Sequence, residues 1–152
     1  MALSNFDMKM FNVAKSVAAT SDFKNFHMGC VITYKKHIIA ASSNMDKTHP
    51  MQKKYNKYRN FKHTPNNVKH SLHAEIAALT SISYPLGMQL DWNKVKIYIY
   101  RIAPGKKNQR GMARPCPACM QAIKDCGIQH VYYTTDDGFA YERLEEKWID
   151  EY

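Results

Sequence analysis

In this 152-residue chain, the segment Pro115-Cys116-Pro117-Ala118-Cys119 places two thiols three positions apart at the start of a predicted helix. Residues with this spacing lie on the same helical face, so both sulfurs can bind one ion. The amino end of a helix also lowers the pKa of a thiol and favours the thiolate that zinc requires. The segment therefore predicts part of a zinc site and a helix that ends at Gly127.

A second segment, His73-Ala74-Glu75, opens another predicted helix and supplies the groups that the thiol pair lacks. His73 offers a nitrogen ligand, and three protein ligands leave the fourth tetrahedral position open, as in catalytic zinc sites. Glu75 stands two positions after His73, a spacing that does not suit a second ligand, but its side chain can reach zinc-bound water, whose pKa is about 7. We expect His73, Cys116 and Cys119 to bind Zn²⁺ and Glu75 to be the catalytic proton carrier.

The other two cysteines are not expected to close the site. Cys126 lies seven residues after Cys119, which is about 10 Å further along a continuous helix. Cys30 stands in an apolar strand and is interpreted as a small buried residue. Either segment alone is weak, because a lone Cys-x-x-Cys is equally typical of a structural zinc or a redox pair. A non-catalytic, zinc-stabilised nucleic-acid-binding module therefore stays open as an alternative.

The remaining pattern predicts an α/β protein with a mixed sheet and helices on its faces. The element order is α-β-β-α-β-α-β-α, with no internal repeat or long linker, so residues 1–152 are expected to form one domain. Hydrophobic periodicity predicts an amphipathic helix at 4–19, a hairpin at 29–34 and 38–41, strands at 95–102 and 131–134, and a terminal helix at 143–152.

The net charge of +9 is concentrated in two stretches. Residues 47–70 carry seven basic and no acidic side chains, and residues 101–114 carry five basic and no acidic ones. A field concentrated in this way can steer an anionic ligand. No apolar run is long enough to span a bilayer, and acidic and basic residues interrupt the amino-terminal segment, so we expect no membrane partner and a cytoplasmic, intracellular location.

The two segments together resemble the cytidine deaminase-like superfamily, for which His-x-Glu followed by Pro-Cys-x-x-Cys is the signature. The stretches Gly29-Cys-Val-Ile-Thr-Tyr34, Ile38-Ile-Ala-Ala-Ser-Ser-Asn44 and Thr48-His-Pro-Met-Gln52 are similar to the deoxycytidylate deaminase type of phage and bacteria. The resemblance implies a three-layer α/β/α sandwich around a five-stranded sheet, and often a homo-oligomer.

The same resemblance implies which residues bind the substrate. Asn44 would hydrogen-bond the sugar, and the backbone N–H of Ala74 would bind a base carbonyl. Arg114 directly precedes Pro115-Cys116, where several branches of the family would have another residue type. Arg114 and Pro115 are further candidates, with Arg114 expected to contact a phosphate or the base edge. Residue chemistry alone leaves Asn44 a turn residue and Arg114 a solvated loop arginine. The spacing of 41 positions from Glu75 to Cys116 is longer than in many members.

The expected reaction is hydrolytic deamination of cytosine to uracil, and the carrier of the base has two interpretations. A phosphorylated (deoxy)cytidine nucleotide needs one phosphate site. A single-stranded DNA or RNA substrate, with cytosine or adenine as the base, would use the aromatic side chains interleaved with lysine and arginine, on which bases stack. Those aromatic residues are Tyr55, Tyr58 and Phe61. Alternatively, they belong to an amphipathic segment that packs its aromatic side chains inward.

Overall fold

The computed structural model describes residues 3–24, 26–59, 71–102 and 110–144. Within them five strands form one sheet, and helices cover both of its faces. The strands are β1 (His27–Tyr34), β2 (His37–Ser43), β3 (Val95–Ile102), β4 (His130–Thr134) and β5 (Phe139–Arg143). The helices are α1 (Asn5–Ala18), α2 (Pro50–Tyr55), α3 (Ala74–Ser81), α4 (Tyr84–Gln89) and α5 (Pro117–Cys126), with 3₁₀ turns at Asn56–Tyr58 and Trp92–Lys94.

The sheet is mixed, as the sequence predicts, and its strand order is β2-β1-β3-β4-β5. β1 is antiparallel to both β2 and β3, while β3 and β4 are parallel and β5 is antiparallel to β4. Parallel neighbours need a crossover connection, and α5 provides it. The carboxyl end of β3 and the amino end of α5 therefore lie at the same edge of the sheet.

One face of the sheet is covered by α1. A capping box starts this helix, because Ser4 Oγ accepts from the Asp7 N–H while the Asp7 carboxylate accepts from the Ser4 N–H. Phe11 on α1 is fully buried, and its ring packs edge-on against Tyr98 of β3 at a centroid separation of 5.6 Å. Burial of these large aromatic side chains fixes the helix on the sheet.

The opposite face carries α3 and α5, so the molecule has the three layers that the resemblance implies. Isoleucine side chains of the central strands, including Ile32, Ile97 and Ile99, are fully buried against Ala74 and Ala78 of α3. A second cluster joins α2, α3 and α5 around Tyr55, Ile76, Ala118 and Ala122. The two helices that begin at the candidate ligands are thus packed into one apolar layer. Every helix in the described ranges is too short or too polar to cross a membrane.

The carboxyl-terminal part of the described chain differs from the sequence-based prediction. Arg143, expected to start a helix, is the last residue of β5, and residues 145–152 lie outside the described residues. Tyr141 and Ala140 point to opposite faces of the sheet and join different apolar clusters. The charged pair Glu142 and Arg143 obscured this two-residue alternation. The short helices α2 and α4 were also not predicted.

Candidate metal centre

Both predicted segments lie at helix starts. His73 is the N-cap of α3, with extended backbone at φ −75° and ψ 149°, and Cys116 is the N-cap of α5. Pro117 stands in the first turn of α5, where its missing N–H costs nothing. Gly127 ends α5 with φ 92°, a left-handed conformation that glycine adopts without strain. The sequence-based prediction for both ends of α5 is confirmed.

The three predicted ligand side chains converge although His73 and Cys116 are 43 positions apart. Their donor atoms all lie within 4.8 Å of one another. His73 Nδ1 is 3.2 Å from Cys119 Sγ and 3.5 Å from Cys116 Sγ. A tetrahedral zinc ion with ordinary Zn–N and Zn–S bonds would separate nitrogen and sulfur by about 3.5 Å. The arrangement therefore matches the size of a zinc ion.

The two thiols cannot both ionise easily without a cation. The hydrogen bond between them lowers the pKa of Cys116 to about 4. Burial, together with the nearby Cys116 sulfur, raises the pKa of Cys119 well above its usual value. A dication would offset the cost of the second thiolate, which is how metal binding releases protons from such pairs. The chemistry of the donor set thus fits zinc.

Glu75 lies in the first turn of α3 and is only 2% exposed. Burial raises the pKa of its carboxyl, since the charged form loses water, while the neighbouring His73 acts in the opposite direction. Its Oε1 is buried and has no hydrogen-bond partner among the described residues. A buried carboxylate oxygen without a partner is costly in a merely structural position. Here it lies beside three metal donors.

The other cysteines lie outside the cluster, as predicted. Cys30 is fully buried in the apolar core between the sheet and the helices α3 and α5. Cys126, at the end of α5, lines a separate cavity of about 390 Å³ with Met51 and Leu79. Among the described residues, no fourth donor joins His73, Cys116 and Cys119. A zinc ion bound by these three donors would keep a fourth position for water or substrate as far as the described residues supply ligands.

The segment leading to Cys116 is held by Thr134, at the end of β4. Its hydroxyl donates to the Gly111 carbonyl at 2.8 Å and accepts from the Arg101 N–H at 3.1 Å. Its carbonyl accepts from the Ala113 N–H at 2.9 Å. The sequence analysis missed this residue, because nothing local distinguishes a threonine at a strand end.

Asn44 is 2% exposed. The next residue, Met45, forms an antiparallel backbone bridge with Leu72, which directly precedes His73. Asn44 therefore lies close to the metal donors. Its side chain is used within the protein: Oδ1 accepts from the Ser21 hydroxyl at 2.6 Å and from the Met28 N–H at 2.9 Å. Its Nδ2 donates to the Phe26 carbonyl at 3.1 Å. Asn44 thus holds Ser21, Phe26 and Met28, a role that the sequence did not reveal.

The other candidate substrate residues lie around the same helix starts. Ala74 is fully buried as the first residue of α3, where the N–H groups have no partner within the helix. Pro115 is buried next to Cys116. Arg114 is exposed, and its Nε and Nη2 donate to the two carboxylate oxygens of Glu142 on β5 at 2.7 and 3.0 Å. Two of its guanidinium nitrogens are thus already hydrogen-bonded to Glu142.

The aromatic residues interleaved with the first basic stretch divide into three cases. Tyr55 is buried, and its hydroxyl donates to Asp125 on α5 at 2.7 Å, so its ring packs inward. Tyr58 is 43% exposed and stacks on Tyr55 at a centroid separation of 6.3 Å. Phe61 lies outside the described residues. The inward-packing interpretation is correct for Tyr55.

Three possible zinc donors and a buried carboxylate lie together at the edge of a three-layer α/β/α sheet, an arrangement typical of zinc-dependent hydrolases. The chain belongs to the family of cytidine and deoxycytidylate deaminases, since the model of that family's zinc-binding region matches residues 4–135. The protein is therefore a zinc-dependent hydrolytic deaminase. No curated protein has a matching sequence.

Solved structures show the same fold. The dCMP deaminase from the cyanophage S-TIM5 in its apo form aligns with a TM-score of 0.55 and 18% identity, over 88% of this chain and 86% of that chain. The same enzyme in complex with dCMP and dUMP aligns with a TM-score of 0.55 and 17% identity, over 89% of this chain and 85% of that chain. The three-layer architecture with its mixed five-stranded sheet is confirmed.

Proposed function

We propose that the protein deaminates the cytosine base of a phosphorylated (deoxy)cytidine nucleotide, with release of ammonia. The proposal is supported by the family and by the likeness to a cyanophage deaminase whose structure contains dCMP and dUMP. The observation that carries it is the buried carboxylate of Glu75, which interacts with the Cys119 side chain and whose Oε1 has no partner among the described residues.

In this reaction His73, Cys116 and Cys119 would hold a zinc ion, which would act as a Lewis acid and lower the pKa of water. Glu75 Oε1 accepts a proton from the attacking water and gives it to the ring nitrogen of the base. A second proton then passes through the same carboxylate to the departing amine, so that cytosine and water give uracil and ammonia. The raised pKa of the Glu75 carboxyl suits a group that must both accept and return protons near neutral pH.

The residues around the metal centre orient the base. The N–H of Ala74, at the amino end of α3, donates to the base carbonyl, and the buried Pro115 forms one wall of the site. Asn44 keeps one amide N–H beyond the one that it gives to Phe26, and this second N–H donates to the sugar. Arg114 holds the segment before Cys116 to β5, and its contact with a substrate phosphate stays a prediction.

Of the two described aromatic side chains on which a single-stranded polynucleotide could stack, Tyr58 is 43% exposed and Tyr55 is buried. A stacking platform needs exposed aromatic faces. Tyr55 is 6% exposed and hydrogen-bonded to α5, so it offers no face to a base.

A substrate panel tests this proposal. We expect purified protein to convert dCMP or CMP with a kcat/KM at least about tenfold above that for the nucleoside, because a charge-assisted phosphate contact is worth about 1.5–3 kcal/mol. The assay measures uracil product and ammonia for dCMP, CMP, dCTP, deoxycytidine and a cytosine-containing oligonucleotide. Preference for the oligonucleotide, with activity falling steeply as salt is added, would contradict the proposal, because release of several counterions marks polynucleotide binding.

A further inference from the structure

Gln52, on α2, makes a buried contact with the backbone of His73. This contact has no part in the reaction described above. Its side chain is fully buried, and its Oε1 accepts the backbone N–H of His73 at 3.0 Å. Burying an amide is costly unless its polar atoms are hydrogen-bonded. An apolar residue in the same place would leave the His73 N–H without this acceptor.

The direction of these hydrogen bonds is fixed by groups that can only donate. The backbone N–H of His73 requires an oxygen, which must be Gln52 Oε1. At the other end, the Arg59 guanidinium requires an oxygen of Asn56, and Oδ1 accepts from it at 3.1 Å. Gln52 Nε2 then donates to the same Asn56 Oδ1 at 2.8 Å. The amide is thus held at both ends in one orientation.

The start of α3 depends on this amide because His73 does not cap its own helix. N-cap residues usually accept an N–H of the first turn with their side chain. The His73 ring makes no such bond, since its Nδ1 faces the sulfurs of Cys116 and Cys119. The hydrogen bond that the His73 N–H donates to Gln52 Oε1 is therefore a side-chain contact that restrains the His73 backbone. Because Glu75 lies two residues further on, the same restraint sets the position of its carboxylate.

We propose that Gln52 is a positioning residue for the metal centre: through the His73 backbone it fixes the direction of the imidazole and the place of Glu75 beside it. The inference rests on the metal centre of the proposed function and is independent of which nucleotide is deaminated. Removing a partner that orients a metal ligand typically costs about 10–100-fold in metal affinity or activity.

Gln52→Met and Tyr55→Phe form a matched pair for testing this role. Both are buried positions on α2, and each change removes hydrogen bonding while keeping volume nearly constant. Gln52→Met removes the acceptor for the His73 N–H, whereas Tyr55→Phe removes the bond to Asp125 and leaves His73 untouched. If Gln52 had only a structural role, two variants that lose the same free energy of unfolding would release zinc at the same rate.

The experiment measures release of zinc to a chromogenic chelator, and kcat and KM for dCMP, in the loaded proteins. We expect Gln52→Met to release zinc about tenfold faster than wild type and to lose kcat with little change in KM. Tyr55→Phe should release zinc at the wild-type rate. Equal release rates in the two variants, or a Gln52→Met effect confined to KM, would overturn the proposal.

A second variant covers the case in which Gln52→Met does not fold. Asn56→Ala removes the partner of Gln52 Nε2 and should give a smaller acceleration of zinc release, whereas a wild-type rate would overturn the proposal. Zinc release is measured without any substrate. Absence of deamination by wild-type protein that retains its zinc normally would therefore contradict the proposed function and leave the role of Gln52 standing.

Discussion

Asn44 shows how one buried amide can organise the surroundings of a metal centre. Its Oδ1 accepts from Ser21 and Met28, and its Nδ2 donates to Phe26, so three polar groups of the segment between α1 and β1 depend on it. Two of these groups are backbone atoms, which cannot turn toward another partner without moving the chain. Asn44 thus contributes to the orientation of this segment, together with the hydrogen bond from the Asp46 N–H to the Asp22 carboxylate.

Asn44→Ala should lower the free energy of unfolding by about 2–3 kcal/mol, because it leaves the part-buried Met28 N–H and Phe26 carbonyl without the partners that Asn44 provides. Urea unfolding followed by circular dichroism measures the change. Ser42→Ala is the control, since the Ser42 hydroxyl makes one long contact of 3.5 Å with the carbonyl of its neighbour. Equal stability of the two variants would show that Asn44 does not hold this segment.

Among single residues, the sequence predicted those functional groups that lie close together along the chain. His73 and Glu75 share one helix turn, and Cys116 and Cys119 share another, so their spacing carries the information. Gln52 and Thr134 were missed because their partners are distant: 21 positions separate Gln52 from His73, and 33 separate Thr134 from Arg101. A single sequence gives no signal for hydrogen bonds of that range.

Among the elements, α1 and β1 approach each other most closely at Gly29. A Cβ at this position would lie 2.2 Å from the Ala14 carbonyl oxygen and 2.5 Å from the Ala18 nitrogen, both backbone atoms of the helix. Such atoms cannot yield by changing a rotamer, so the helix itself would have to move. Gly29 therefore permits the contact between the amino-terminal helix and the central part of the sheet.

Gly29→Ala should destabilise the protein by about 3 kcal/mol, because overpacking at a rigid contact displaces a whole element. Gly138→Ala is a suitable control, since a Cβ there would meet no atom within 4 Å. The midpoints of thermal unfolding of the two variants measure the difference. A Gly29→Ala variant as stable as Gly138→Ala would contradict the described contact between α1 and β1.

The prediction of helices and strands is correct where the apolar pattern is long and clear, and it is wrong for β5, where the pattern is short. α1, β3 and α5 have long apolar patterns and distinct ends, and they agree with the prediction to within about one residue. β5 has only five residues and carries two adjacent charges. The hairpin turn is also atypical: Lys35 and Lys36 take left-handed conformations at φ 49° and 65°, where Asn-Gly is the usual signal.

On the scale of the whole molecule, the fold brings the two halves of the metal centre together. One half follows β2 and the other follows β3, and the parallel crossover through α5 returns the chain to the sheet beside β3. The apolar clusters on both faces consist mainly of residues that do not bind metal. The fold therefore holds the three donors at the start of two helices, apart from the apolar clusters that stabilise it.

The most direct test of the whole account is the activity and zinc content of Glu75→Gln. The change keeps the shape of the side chain but removes its ability to accept a proton. We expect this variant to bind one zinc per chain and to lose deamination by at least about 100-fold, the usual contribution of a general acid–base group. Uracil formation from dCMP, zinc analysis and circular dichroism provide the three measurements. A folded, zinc-loaded Glu75→Gln protein that forms uracil at the wild-type rate would contradict the account.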